Sequence, residues 1–137
     1  MSFEIIERSP TPEEFYQLCV SVGWENMMNF EVIQDSLHNS LHSVVVLSED
    51  KIIGMGRIIG DGHFYFYLQD IVVLPELQKL GIGTMIMDNL MSYLKENAPD
   101  KAFIGLFSSN QGKKLYEKYG FQQYSALTGM FCVAPVQ

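Results

Sequence analysis

Apolar residues recur at two different spacings along this chain, and the spacing predicts which segments are helices and which are strands. From Ile82 to Leu94 they return every fourth residue, which is typical of an amphipathic helix that opens at Gly81. Other helices are predicted over Pro12–Val22, Phe30–Asn39 and Asn110–Tyr119. Strands are predicted over the shorter apolar runs, Phe3–Ile6, Ser43–Leu47, Lys51–Ile59, Phe64–Val73, Lys101–Leu106, Phe121–Tyr124 and Gly129–Val133.

The order of these elements predicts a mixed α/β fold. Neighbouring strands come first, joined by turn residues such as Ser48-Glu49-Asp50, and strand–helix–strand–helix units follow. We therefore predict one mixed, mostly antiparallel sheet with helices on both faces, which contains the early strands and the later strand–helix units. With 137 residues and no linker or repeat, the chain is expected to form a single domain over residues 1–137.

Composition narrows the class of partner. The chain is 47% hydrophobic and 18% charged, which is enough apolar material for a core. Its net charge of −7 argues against nucleic acid and anionic membranes, because no basic stripe is present to bind phosphates. A cationic substrate such as an amine would be attracted, although the charge is equally explained by solubility.

Cysteine and histidine usage points to no disulfide framework and no metal. Cys19 and Cys132 lie far apart, and His38, His42 and His63 have no ligand spacing. The N-terminal residues lack a secretory pattern and no apolar run is long enough to span a bilayer, so we expect a cytoplasmic protein.

One segment combines features that suit a phosphate group. The strand ending at Val73 runs into Pro75, then into a loop with Gly81 and Gly83, and then into the long helix. This order directs backbone N–H groups and the positive end of a helix at one small volume. Glycines let the backbone approach a ligand closely, although such turns also occur as plain connections.

A second segment reads as the end of a short helix. Tyr119-Gly120-Phe121 predicts a stop with Gly120 in the left-handed conformation, and Ser108 and Gln111 have the spacing of a capping box at the start.

Taken together, the two segments resemble the GCN5-related N-acetyltransferase (GNAT) superfamily. Its acetyl-CoA motif, Gln/Arg-x-x-Gly-x-Gly/Ala, is similar to Gln78-Lys-Leu-Gly81-Ile-Gly83, and its Leu-Tyr-x-x-x-Gly-Phe is similar to the run from Leu115 to Phe121. The resemblance implies a GNAT-like fold of six to seven strands and about four helices, with the central strands splayed apart. It also implies acetyl-CoA as cosubstrate and no metal.

Roles for individual residues follow from the same resemblance. Ile71 and Val73 would pair with the pantetheine arm through their backbone, and Tyr116 would protonate the departing thiolate as general acid. The remaining cofactor-binding residues implied are Gln78, Lys79, Leu80, Gly81, Ile82, Gly83, Thr84, Ser109 and Asn110. Acyl transfer needs a neutral amine, whereas an alkylammonium has a pKa near 10, so a proton must also be removed.

The general base is where the sequence departs from the family pattern. Strand alternation predicts that Tyr67, Gln69, Ile71 and Val73 share one face, and neither Tyr67 nor Gln69 is a natural base. We expect these two to order a water chain that accepts the proton. Asp70 is the nearest carboxylate, but alternation points it to the opposite face, where it would be a buried structural acid.

The substrate site and the final function have alternatives. Trp24 and Tyr65, with Asp70, are the candidate substrate-binding residues, although aromatic residues on these segments also serve as core. The leading prediction is an N-acetyltransferase acting on a small-molecule amine. A non-catalytic acetyl-CoA-binding module and a protein acetyltransferase are the alternatives. Met130, Phe131 and Val133 suit either a homodimer interface or closure of the core.

Overall fold

The computed structural model describes residues 2–136, which divide into two compact units. The first unit ends at Phe107 and the second begins at Ser108, so each is described by itself. The expectation of a single domain over the whole chain stays a prediction.

The first unit is built on a five-stranded sheet whose strands lie in chain order. The strands are β1 (Glu4–Ile6), β2 (His42–Ser48), β3 (Lys51–Gly60), β4 (Tyr65–Val73) and β5 (Phe103–Gly105). The first four are antiparallel to their neighbours, and β5 runs parallel to β4. The turn between β2 and β3 places Glu49 and Asp50 at positive φ, as its turn residues predicted.

Three α-helices belong to this unit, and their starts follow local chemistry. They are α1 (Pro12–Ser21), α2 (Ile33–His38) and α3 (Ile82–Asn97), with 3₁₀ turns at Phe30–Val32 and Pro75–Leu77. Thr11 and Glu14 form a full capping box at the start of α1. The helix predicted over Phe30–Asn39 is therefore a 3₁₀ turn followed by a short α-helix.

The helices cover both faces of the sheet, as the sequence predicted. On one face, Phe15 and Leu18 of α1 pack in a buried cluster with Val45 and Met55 of the sheet. On the other face, Ile86 and Leu90 of α3 approach the sheet so closely that a Cβ on Gly56 would lie 2.6 Å from Ile86 Cγ2. Two separate apolar layers therefore hold the sheet between them.

The second unit contains α4 (Lys113–Glu117), which is shorter than the predicted Asn110–Tyr119. Gly120 follows it at φ +92°, and the Phe121 N–H donates to the Tyr116 carbonyl, so the predicted helix stop is confirmed. At the other end the Ser109 hydroxyl accepts from the Gly112 N–H at 3.2 Å, and the predicted capping box of Ser108 and Gln111 is wrong.

The predicted closing strands do not form in the described part of the chain. Within residues 121–136, strand-like backbone pairing is limited to an isolated bridge between Tyr124 and Leu127. Met130 and Val133 are 86% and 74% exposed, so they do not close a core in this chain. A strand needs a partner backbone, and without one these apolar residues remain irregular; the sheet has five strands, not six or seven.

Candidate active site

A bulge in the middle of β4 reorders the residues that the sequence placed on one face. Gln69 lies opposite Arg57 and Val72 lies opposite Met55, so Asp70 and Ile71 together oppose Gly56. Asp70 takes a left-handed φ of 56°, which is where the extra residue is accommodated.

This bulge overturns the predicted alternation. Directly opposed residues share a face, so Gln69 lies on the face of Arg57. The Ile71 side chain instead lies on the side of α3. A Cβ built on Gly56 would lie 3.4 Å from Ile71 Cγ1 and 2.6 Å from Ile86 Cγ2 of α3. Tyr67 and Gln69 keep a common face, whereas Ile71 and Val73 do not share it. A one-residue insertion reverses every side chain that follows it.

Asp70 was expected on the face opposite to Gln69, and this too is wrong. Its carboxylate accepts a hydrogen bond from Arg57 Nε at 2.8 Å, on the face that carries Gln69. Its side chain is 9% exposed, which confirms the interpretation as a buried, hydrogen-bonded acid. Burial of the Cys19 thiol, which disfavours the thiolate, raises its pKa to about 12, and the negative charge of Asp70 contributes to the same shift.

Strand β5 is three residues long and pairs only with the first part of β4. Their register joins only Tyr65–Tyr67 to Phe103–Gly105. From Leu68 to Val73, the edge of β4 that faces away from β3 has no strand beside it within the described residues. This open edge leaves backbone groups available for an extended ligand, and the splaying of the central strands stays a prediction.

Aromatic rings fill the region where the two strands still pair. The rings of Tyr65 and Tyr67 lie 6.2 and 5.9 Å from the ring of Phe103, centroid to centroid. Tyr67 also covers Gly105, where a Cβ would lie 3.3 Å from its ring. Tyr65 is half exposed, whereas Trp24 packs against the α1 cluster, so the three candidate substrate residues lie in different surroundings.

The loop before α3 presents backbone donors without a side-chain cap. Gly81 is the N-cap residue at φ 89°, no side chain of the described residues caps the helix, and its first turn carries no acidic residue. The first intrahelical bond into Gly81 comes from Met85, so the N–H groups of Ile82, Gly83 and Thr84 have no intrahelical partner. Such an end attracts an anion.

The loop is tied to the end of β4. Gln78 Nε2 donates to the Val73 carbonyl at 3.2 Å. Lys79, at φ 70°, is the one charged residue among residues 78–84, and both it and Leu80 are exposed. The predicted loop residues 78–84 therefore lie together beside the end of β4, at its open edge.

Tyr116 lies on α4 in the second unit, together with Ser109 and Asn110. Its ring contacts Gly112, where a Cβ would lie 3.1 Å from Tyr116 Cε2 and 3.4 Å from Ser109 Oγ. Burial raises the pKa of the Tyr116 phenol above its ordinary value of 10.0, because the phenolate would lose hydration. The hydroxyl therefore stays protonated at neutral pH.

A separate cleft of about 580 Å³ lies between α1 and the turn joining β2 to β3. Its lining includes the carboxylates of Glu14, Glu49 and Asp50 against one ammonium, that of Lys51. This charge disfavours a diphosphate, so the cleft is a poor alternative to the α3 loop. Within the described residues, no group of three His, Cys, Asp or Glu side chains is arranged to hold a metal, and no helix is long and apolar enough to cross a membrane.

Comparisons with known proteins agree with this geometry. The family model of the acetyltransferase (GNAT) domain matches residues 6–129, which span both units. An uncharacterized N-acetyltransferase, ycf52, of Porphyra purpurea is 30% identical over 122 residues, covering 86% of this chain and 69% of its own.

Solved structures show the same similarity. A probable acetyltransferase from meticillin-resistant Staphylococcus aureus has a TM-score of 0.90 at 30% identity, over 97% of this chain and all of that one. A GNAT family acetyltransferase from Streptococcus pneumoniae has a TM-score of 0.82 at 27% identity, over 98% of this chain and all of that one. The fold is that of an acetyltransferase of the GNAT type. The chain belongs to the GNAT family and is an N-acetyltransferase.

Sequence reasoning missed Arg57. It is the one charged residue inside the apolar run of β3, from Ile52 to Gly60, and it is 9% exposed. A lone arginine within an apolar strand was the available signal, because such a charge is buried only when it has partners.

Proposed function

We propose that the protein transfers the acetyl group of acetyl-CoA to a primary amine of a small molecule, with Tyr116 as general acid. The observation that carries this proposal is the start of α3, where left-handed Gly81 opens a helix whose first amides have no side-chain cap. It stands beside the end of β4, whose edge away from β3 has no strand next to it in the described sheet.

The residues of the first unit fit such a cosubstrate. The amides of Ile82, Gly83 and Thr84 would hold the diphosphate, since they lack intrahelical partners and face no acidic residue in that turn. The backbone of Ile71 and Val73 would hold the pantetheine arm as a neighbouring strand does. Acetyl-CoA would supply an activated thioester to this site.

Tyr116 would donate its hydroxyl proton to the departing thiolate. Support comes from the Leu-Tyr-x-x-x-Gly-Phe resemblance and from burial, which raises the pKa of the phenol and keeps the proton in place at neutral pH. Ser109 and Asn110 remain proposed cofactor contacts on the same unit.

Proton removal from the amine is proposed to run through water ordered by Tyr67 and Gln69. These two share a face of β4 and are partly exposed, so solvent reaches them. Asp70 now lies on that face as well, but its carboxylate is bonded to Arg57. A pH–rate profile distinguishes the two routes, because loss of a carboxylate-like ionisation in Asp70→Asn would favour Asp70.

Acceptor identity is tested by measuring CoA release across a panel of amines and peptides. We expect release with at least one small amine, and a lower kcat in Tyr116→Phe with an unchanged Kd for CoA. CoA binding with no turnover on any acceptor would favour a non-catalytic binding module. Peptides that outcompete small amines would favour a protein acetyltransferase.

A cytoplasmic homodimer is proposed through the second unit. Its Met130 and Val133 are largely exposed in one chain, and paired apolar surface is stabilised by removal from water. Sedimentation of the protein and of Met130→Ser tests this: the wild type should sediment as a dimer and the variant as a monomer. A wild type that sediments as a monomer at micromolar concentration would contradict it.

A further inference from the structure

Arg57 connects the bulge of β4 to helix α2. Its Nε donates to the Asp70 carboxylate at 2.8 Å, and its Nη1 donates to the Ser36 carbonyl and to Ser40 Oγ, both at 3.1 Å. Nη2 donates to Ser36 Oγ at 3.1 Å. A buried guanidinium with four hydrogen bonds holds its partners in a fixed arrangement.

The bulge is the point at which β4 changes from the face of Gln69 to the face of Ile71. It needs Asp70 at a left-handed φ of 56°, which is unfavourable for most residues and persists only where surrounding contacts hold it. The Arg57–Asp70 pair supplies such a contact, because both side chains are about nine-tenths buried, 10% and 9% exposed.

We propose that Arg57 is a positioning residue that fixes the bulge through Asp70, and so sets the backbone of Ile71–Val73 for the pantetheine arm. This inference rests on the proposed acetyl-CoA site. Arg57 does not touch the proposed ligand contacts; it acts through Asp70, whose peptide is followed directly by Ile71. The link to Ser36 and Ser40 anchors the same bulge to α2.

Removal of one partner alone would leave a buried charge unpaired and destabilise the protein, so the test removes both. In Arg57→Met/Asp70→Gly, glycine still adopts the left-handed conformation and methionine fills the space, but the tether is gone. Loss of one or two backbone hydrogen bonds to the ligand corresponds to a rise of about tenfold in the Kd for CoA. Calorimetric titration with CoA measures it.

Val45→Ala is the matched control. Val45 is fully buried on β2 in the α1 cluster, so the substitution destabilises the sheet without touching the bulge. Its Kd for CoA should equal that of the wild type. A merely structural role for Arg57 predicts equal effects in the double variant and this control.

Arg57→Lys is the second variant, because it keeps the charge but loses the planar fork that reaches Ser36 and Asp70 together. We expect it to fold and to bind CoA several-fold more weakly than the wild type. In the wild type, CoA should also slow amide hydrogen exchange both at residues 70–73 and at residues 36–40.

The outcomes separate the two proposals. In one outcome, the wild type binds CoA, and the folded double variant or Arg57→Lys has a Kd for CoA within twofold of the wild-type value. That result overturns the positioning role and leaves the proposed cofactor site intact. Unchanged exchange at residues 36–40 in CoA-bound wild type also overturns it. Wild type that fails to bind CoA sinks the proposed site, and this inference with it.

Discussion

Gly81→Ala tests the start of α3 because the conformational cost of this change is separable from steric effects. Gly81 lies at φ 89°, and a Cβ built there meets nothing within 4 Å. The penalty is therefore that of a left-handed L-residue, about 1–2 kcal/mol. Reduced freedom of the unfolded chain returns about 0.4–1 kcal/mol, which leaves a net loss of at most about 1.6 kcal/mol in the free energy of unfolding.

The same change should weaken CoA binding, since relaxing Gly81 toward negative φ moves the first amides of α3. Loss of one hydrogen bond to a charged phosphate would raise the Kd for CoA about tenfold or more. Urea unfolding gives the stability change, and calorimetric titration with CoA gives the Kd.

Two control variants make the test specific. Gly81→Asn should retain most of the stability and affinity, because asparagine tolerates the left-handed region. Gly23→Ala also places alanine at positive φ, 82°, with open space around it, and should lose similar stability without changing the Kd for CoA. If Gly81→Ala binds CoA as tightly as the wild type, the assignment of the diphosphate to this loop is refuted.

Three further predictions concern single side chains. Tyr116 should ionise above pH 10 in an ultraviolet titration, because burial raises the pKa of its phenol. Its contribution to the free energy of unfolding should be present below pH 10 and decline as the pH rises through the raised pKa. An ultraviolet titration of Tyr116→Phe identical to that of the wild type would contradict this. Thr11→Ala should lower the free energy of unfolding by about 1 kcal/mol in urea, because the capping box of α1 is lost; an unchanged urea midpoint would exclude that contribution. In the native protein, a thiol reagent should modify exposed Cys132 quickly and spare buried Cys19, whose pKa is raised to about 12. The Cys132→Ser variant reports the rate at Cys19 alone. A rate in this variant equal to that of the wild type would argue against the burial of Cys19.

Local chemistry made much of the first unit predictable. The turn at Glu49 and Asp50, the capped start of α1 and the glycine-led start of α3 each depend on residues close together in the chain. In the second unit, the helix stop at Gly120 likewise depends on residues close together in the chain. Periodicity identified the faces of α3 because only one stripe of a helix can be buried.

The closing strands show where local pattern is insufficient. The segments at Phe121–Tyr124 and Gly129–Val133 have the composition of strands, yet they remain irregular in the described chain. A strand depends on hydrogen bonds from another backbone, and the presence of that backbone is not encoded in the segment itself.

Register in β4 was decided by tertiary structure alone. The sequence determined that a strand lies over Phe64–Val73 and that Gly81 opens a helix, since period and turn chemistry are local properties. It did not determine that Asp70 lies at a bulge, where its carboxylate meets Arg57, thirteen residues earlier on the neighbouring strand, which in turn donates to Ser36. A buried charge takes its partners from across the fold, so neither the pairing of Asp70 nor the face of Ile71 can be read from the local pattern of β4.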